Sequence, residues 1–231
     1  MAKTKSRAMP LLHRDDPGKE PLGGNVKVTR EDWLNVAFDV LVSDGVERVK
    51  VLTLGETLGV SRSSFYWYFK SRKDLLDQLL AEWERTNTGA MVAHCELPAA
   101  TITDAVCNFF RCLFGPDGFN ARLDFAVREW ARRDGSVRRV IDRSDAARHG
   151  AIARMFLRHG YDPDEADIRA RVLYYQQIGY HALDLSEPME ERLSRLEGYL
   201  HCFTGQRPRA SEIAAFRAYA AAAEGRGGMA Q

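Results

Sequence analysis

One stretch constrains this chain more than any other: Gly59-Val60-Ser61-Arg62-Ser63-Ser64-Phe65-Tyr66-Trp67-Tyr68-Phe69-Lys70-Ser71-Arg72-Lys73. It reads as a tight turn, a short helix, a second turn and the start of a longer helix. Gly59 can adopt the positive φ that a turn between two helices requires. Ser61 suits the N-cap, where its side-chain oxygen accepts an orphan N–H. Phe65 and Phe69, four apart, share one helical face and bury together. At about 100° per residue, Ser63 and Trp67 fall opposite Phe65, and Ser64 and Tyr66 flank it. Arg62 sits exposed at the helix end. Every charge from Val60 to Lys73 is positive.

An apolar face backed by hydroxyls, an indole, a phenol and cations suits a helix lying in a DNA major groove. Hydrogen-bonding side chains then face base edges and cations face phosphates. By spacing alone, a small amphipathic helix with a solvated basic rim fits equally well. The longer run Val51-x-x-Leu54-x-x-x-Leu58-Gly59-Val60-Ser61-Arg62-Ser63-Ser64-Phe65-Tyr66-Trp67-Tyr68-Phe69-Lys70-Ser71-Arg72 decides between them, because it resembles the signature of the TetR family of transcriptional regulators. The resemblance covers roughly residues 28 to 76. Gly55 and Leu58 stand where that family usually has alanines, and Arg72-Lys73 replaces its usual Lys-Glu. Gly55 should weaken its helix by about 1 kcal/mol relative to Ala.

The resemblance implies an all-α chain, with an N-terminal three-helix DNA-binding unit followed by a larger helical ligand-binding and dimerisation domain. It implies a homodimer on a palindromic double-stranded operator, released by a small-molecule effector. Arg62, Ser63, Ser64 and Trp67 are the expected base-facing set, with Arg62 suited to a bidentate guanine contact. Lys50, Tyr66, Tyr68, Lys70 and Arg72 are the expected phosphate contacts, Arg72 aided by a helix N-terminus. A repressor is the first expectation. An activator of the same fold and a helical protein-interaction module without DNA binding are the alternatives.

The chain of 231 residues, 45% hydrophobic and 28% charged, has the composition of a globular protein able to bury a real core. Its net charge of +1 means that nucleic-acid binding must come from a local basic patch. No apolar run is long enough for a transmembrane helix and no secretory h-region is visible, so a cytoplasmic location is expected. Cys95, Cys107, Cys112 and Cys202 show no metal-like spacing and read as free, mostly buried thiols, with a redox-sensing pair as the alternative.

Along the chain, residues 1–26 read as a flexible arm bearing Lys3, Lys5, Arg7, Arg14 and Lys19. Thr29 opens a first helix with Leu34, Ala37, Phe38 and Leu41 at helical spacing, closed by Gly45; Val51, Leu54 and Leu58 mark a second. The DNA-binding domain is expected over 27–72 and the regulatory domain over 73–224, with a flexible tail over 225–231. Ser71 caps a long helix striped by Leu75, Leu76, Leu79, Leu80 and Trp83. Further helices follow Thr101, surround Leu123 to Trp130, run from Gly135 to Gly160, and span about 164–186. Gly115-Pro116-Asp117-Gly118 reads as a turn. Met189, Leu193, Leu196, Leu200 and Phe203 form an a/d seam, and an Ala-rich helix covers about 211–223. By the resemblance, the helices at 164–186 and 188–203 are the candidate dimer interface.

A ligand pocket is expected among the middle helices. Trp83, Phe109, Phe110, Phe125, Trp130, Tyr174 and Tyr175 are its candidate lining, with Arg128, Gln176 or His181 at a polar end. For each of these, core packing is the competing reading, and Arg128-Glu129 reads equally as an internal ion pair. No catalytic activity, cofactor or metal is expected, because the sequence has no nucleotide-binding glycine loop, GxSxG or HExxH. His94 and Cys95, adjacent on a helix, point about 100° apart and cannot pair.

Overall fold

The computed structural model describes residues 28–113, 118–183, 185 and 187–227. The expected arm over 1–26, the turn residues Gly115, Pro116 and Asp117, and residues 228–231 of the expected tail lie outside them. Among the described residues all regular structure is helical. The chain divides into two compact units between Leu76 and Asp77.

The first unit holds α1 (Arg30–Asp44), a 3-10 turn (Val46–Arg48), α2 (Val51–Leu58), α3 (Arg62–Phe65) and the start of α4 (Arg72–Trp83). Thr29 and Asp32 form a reciprocal capping box, which satisfies orphan N–H groups at both positions and starts α1 there. Gly45, at φ 81°, ends it. Trp33, Leu34, Ala37 and Leu41 bury the inner face of α1; Phe38, expected there, is only half-buried. Fully buried Trp33 meets Phe65 edge-on at 5.3 Å, and Phe65 stacks on Phe69 at 5.1 Å. This aromatic cluster is the centre of the small core.

The second unit begins within α4 and continues through a π turn (Glu84–Thr88) and α5 (Gly89–Glu96). It then runs through α6 (Ile102–Arg111), α7 (Ala121–Ala131), α8 (Gly135–Arg158) and α9 (Pro163–Ala182), and ends with α10 (Met189–Ser194), α11 (Leu196–Thr204) and α12 (Ala210–Gly227). Thr101, Asn120, Asp134 and Asp162 cap α6 to α9 through side-chain oxygens. The core joins α5, α6, α8, α9, α11 and α12 around Phe109, Ile152, Phe156, Leu173, Leu200 and Phe216. The a/d seam breaks at Arg195 into α10 and α11, and Leu196, Leu200 and Phe203 face this chain's own core. No helix among the described residues is long and apolar enough to cross a membrane.

Candidate nucleic-acid interface and helical cleft

The turn into α3 is built as its glycine suggests. Gly59 lies in the left-handed region at φ 66°, ψ 32°, and the Val60 N–H donates to the Gly55 carbonyl at 2.9 Å. α3 itself is short. Regular helix ends at Phe65, although the Phe69 N–H still reaches the Phe65 carbonyl at 3.0 Å and carries the turn onward. Burial then sorts the side chains: Phe65 and Phe69 face inward, whereas Arg62, Ser63, Tyr66, Trp67 and Lys70 are exposed and Ser64 is half-buried. Trp67 is 73% exposed, an unusual position for an indole beside an aromatic core with room for its neighbours.

Ser61 occupies the N-cap of α3 but makes no capping hydrogen bond. Its hydroxyl pairs with that of Ser63 at 2.7 Å, and Ser64 donates to the Ser61 carbonyl at 2.9 Å. The hydroxyl hydrogen of Ser64 is therefore committed, leaving its oxygen as an acceptor. Arg62, Lys50 and Lys70 hold no ion pair among the described residues. Arg48, exposed beside Lys50, is a further cation that the sequence reading passed over because it falls between two helices.

Two expected phosphate contacts have other partners. Arg72 donates from Nε to the Val49 carbonyl and from Nη2 to the Val46 carbonyl, both at 2.6 Å. It ties α4 to the 3-10 turn and so fixes the entry to α2. Tyr68 donates its hydroxyl to the Val28 carbonyl at 2.9 Å, which holds the approach to α1. The physical reason is common to both: a carbonyl outside the α-helices takes a side-chain donor, Val28 and Val49 as acceptors and Val46 as a second bond beside the one it accepts from the Val49 N–H at 3.2 Å. Ser71 caps α4 by accepting from the Asp74 N–H at 3.1 Å.

In the second unit the expected pocket residues separate into four groups. Phe110 and Gln176 line an open cleft, about 550 Å³ when its solvent-filled mouth is counted, whose wall also includes Gln177, Tyr180, Tyr199 and Phe203. Trp83, Arg128 and Tyr174 instead belong to a buried polar centre. There Arg128 is bidentate to Asp145 at 3.0 and 2.6 Å and reaches Asp124 at 2.8 Å. Trp83 Nε1 donates to Asp124 at 3.1 Å, and the Tyr174 hydroxyl donates to Asp145 at 2.7 Å. Phe109 and Trp130 are buried, and Phe125 is half-buried. Tyr175 is 56% exposed and points away from the interior. Glu129 is not the partner of Arg128; it pairs with Arg132 at 3.2 Å.

Arg148 escaped the sequence reading and is fully buried. It pairs with Asp124 at 2.9 Å, donates to Thr88 at 3.0 Å, and lies 5.1 and 5.2 Å from the rings of Trp83 and Phe119. Two arginines and two aspartates thus balance charge at the centre. Burial pushes the Tyr174 phenol up. Burial would also raise Asp145, but the bonds and charge of Arg128 outweigh it and hold the carboxyl below its ordinary value. His181 stacks on Phe119 at 5.8 Å, and burial, then Arg192, lowers its pKa. Cys95, Cys107 and Cys112 are buried free thiols, pushed up to about 12, 12 and 11 by desolvation; Cys202 is exposed.

Comparison with known proteins agrees with this geometry. The family described as bacterial regulatory proteins, tetR family, matches residues 34–79. The tetracycline repressor protein class C of Escherichia coli is 38% identical over 53 residues, 23% of this chain and 24% of that protein. An HTH-type transcriptional repressor of Mycobacterium tuberculosis is 32% identical over 63 residues, 27% of this chain and 24% of that protein. The chain thus matches about a quarter of the length of these curated relatives. The crystal structure of a transcriptional regulator from Rhodococcus sp. Rha1 superposes with a TM-score of 0.57 at 17% identity, covering 77% of this chain and 95% of that one, which shows the shared fold. The N-terminal unit of this chain thus matches the tetR family of bacterial regulatory proteins over residues 34–79, and its helical fold is shared with solved structures of transcriptional regulators.

Proposed function

We propose that this protein is a ligand-responsive transcriptional repressor that binds a palindromic operator as a homodimer and leaves it when a small molecule occupies the cleft of the second unit. The observation that carries the reading is the pairing of locked Phe65 and Phe69 with exposed Arg62, Ser63 and Trp67 on the same short segment. Arg62 reads a base, a guanine by its bidentate geometry, and Ser63 and Trp67 contact neighbouring positions. Ser64, with its hydrogen committed, meets a base donor as an acceptor. Lys50, Tyr66 and Lys70 hold phosphates, and Arg72 and Tyr68 support the scaffold beneath them.

A homodimer is supported by α9, which is apolar on two faces. Ala166, Ala170 and Leu173 pack into the core, while Ile168, Val172 and Tyr175 are 59, 50 and 56% exposed at helical spacing. α9 is thus the better of the two expected interface elements, because Leu196, Leu200 and Phe203 of α11 are spent internally.

The test is selection from a random duplex pool, followed by gel shifts of wild type and Arg62→Ala on the enriched site. A palindromic site whose binding weakens steeply with salt supports the reading. The Arg62→Ala variant is expected to lose about 1–3 kcal/mol on that site and to tolerate base changes under Arg62. Enrichment of no sequence would overturn the reading.

A further inference from the structure

We infer that the cleft takes an uncharged aromatic molecule carrying a hydroxyl or N–H donor, and that this donor meets Gln177. The inference deepens the effector reading above and rests on it for the biological role of the ligand. The cleft walls set the body of the ligand. Phe110 meets Phe203 and Phe216 edge-on at 6.2 and 6.3 Å, and Leu193 and Leu196 complete an apolar, ring-lined floor. A flat aromatic body fits such a floor by offset or edge contacts.

The polar groups of the cleft set its head. The Tyr180 hydroxyl is spent on Glu187 at 3.0 Å, and Glu187 is also bonded by Arg195. The Arg192 guanidinium lies 5.1 Å from the centre of the Tyr180 ring. Gln177 donates its amide to Gln176 at 2.9 Å. The Tyr199 hydroxyl and the Gln176 amide sit on more exposed residues, open to water; Gln177 Oε1 is instead a buried acceptor with no partner, on a residue only 8% exposed that lines the cleft. A buried carbonyl oxygen left unpaired is costly, so a ligand that brings a donor to it gains what the unliganded protein lacks.

The charges of the cleft set the ligand's own charge. Glu187 is matched by Arg195, and Arg192 is engaged by the Tyr180 ring. Deeper in the same unit Arg128 and Arg148 are matched by Asp124 and Asp145. An anionic head has no proton to donate to Gln177 Oε1, and a cationic head would face the Arg192 guanidinium that lines the same cleft.

Three probes test the assignment by calorimetric titration of the full chain without DNA: 1-naphthol, 1-methoxynaphthalene and 1-naphthoate. Wild type is expected to bind 1-naphthol at one site per chain, about tenfold more tightly than either other probe. Gln177→Met should bind 1-naphthol and 1-methoxynaphthalene equally. Leu193→Trp, which fills the cleft from a half-buried wall position, should bind neither. Equal affinities in wild type, a preference that survives in Gln177→Met, binding that persists in Leu193→Trp, or tighter binding of 1-naphthoate would each overturn the inference. Because these titrations contain no DNA, their outcome is separate from that of duplex selection, which alone bears on the regulator reading.

Discussion

Arg72 illustrates how one side chain acquires a role only in three dimensions. A cation at the start of a long helix is well placed for a phosphate, yet its guanidinium bridges two carbonyls, those of Val46 and Val49. A fork with several N–H groups can satisfy both acceptors, which a single ammonium cannot do with the same geometry. Arg72→Ala is therefore expected to lower the stability of the N-terminal unit by about 1–3 kcal/mol in urea unfolding, the range for hydrogen bonds to a charged group. Duplex affinity should fall by the same factor for every sequence, and Arg72→Lys should restore only part of either property. A loss confined to the selected site would instead assign Arg72 to base recognition.

At the scale of the element, Gly55 reverses a simple propensity argument. Glycine inside α2 costs about 1 kcal/mol relative to alanine in an isolated helix. In the folded unit, however, a Cβ at Gly55 would lie 3.2 Å from the Val60 carbonyl oxygen and 3.6 Å from the ring of Trp33. Val60 cannot easily withdraw, because its N–H is bonded to the Gly55 carbonyl. Gly55→Ala is expected to leave the melting temperature unchanged or lower it, since the crowding offsets the gain in helix propensity. A rise of several degrees would show that the turn at 59–60 yields. α9 makes the complementary point: two apolar faces on one helix leave the sequence pattern without a single direction, and only packing reveals which face is inside.

For the whole molecule, the buried polar centre ties stability to pH. Asp145 has a depressed pKa in the folded state, so its contribution is present above the unfolded carboxylate value of about 3.9 and is lost as pH falls through the lower folded value. Asp145→Asn should cost about 1–3 kcal/mol at neutral pH, less than for a wholly buried ion pair because the carboxylate is one-third exposed. It should also flatten the loss of urea stability between pH 5 and the acid limb; an unchanged acid slope would place that dependence on other carboxylates. Assembly is tested through the outer face of α9. Val172→Asp would bury an unpaired charge twice in a two-fold dimer, and sedimentation is expected to show dimer dissociation strengthened by about 100-fold or more. Undiminished dimerisation would move the interface to another surface.

Local patterns were enough to determine the helical class, the helix starts at Thr29 and Thr101, and the inward turn of Phe65 and Phe69. Each of these depends on residues within a turn or two of one another. The left-handed Gly59 and the exposure of Trp67 were legible for the same reason. Tertiary structure alone decided the roles of Arg72, Tyr68 and Arg148, whose hydrogen-bond partners lie 23 to 60 residues away in the chain. It also divided the expected pocket residues among a cleft, a charge-balanced centre, the apolar core and the exposed surface. Periodicity marks the buried face of a helix, but it carries no information about which other helix supplies the acceptor, and that acceptor determines whether a polar side chain binds a ligand or holds the fold together.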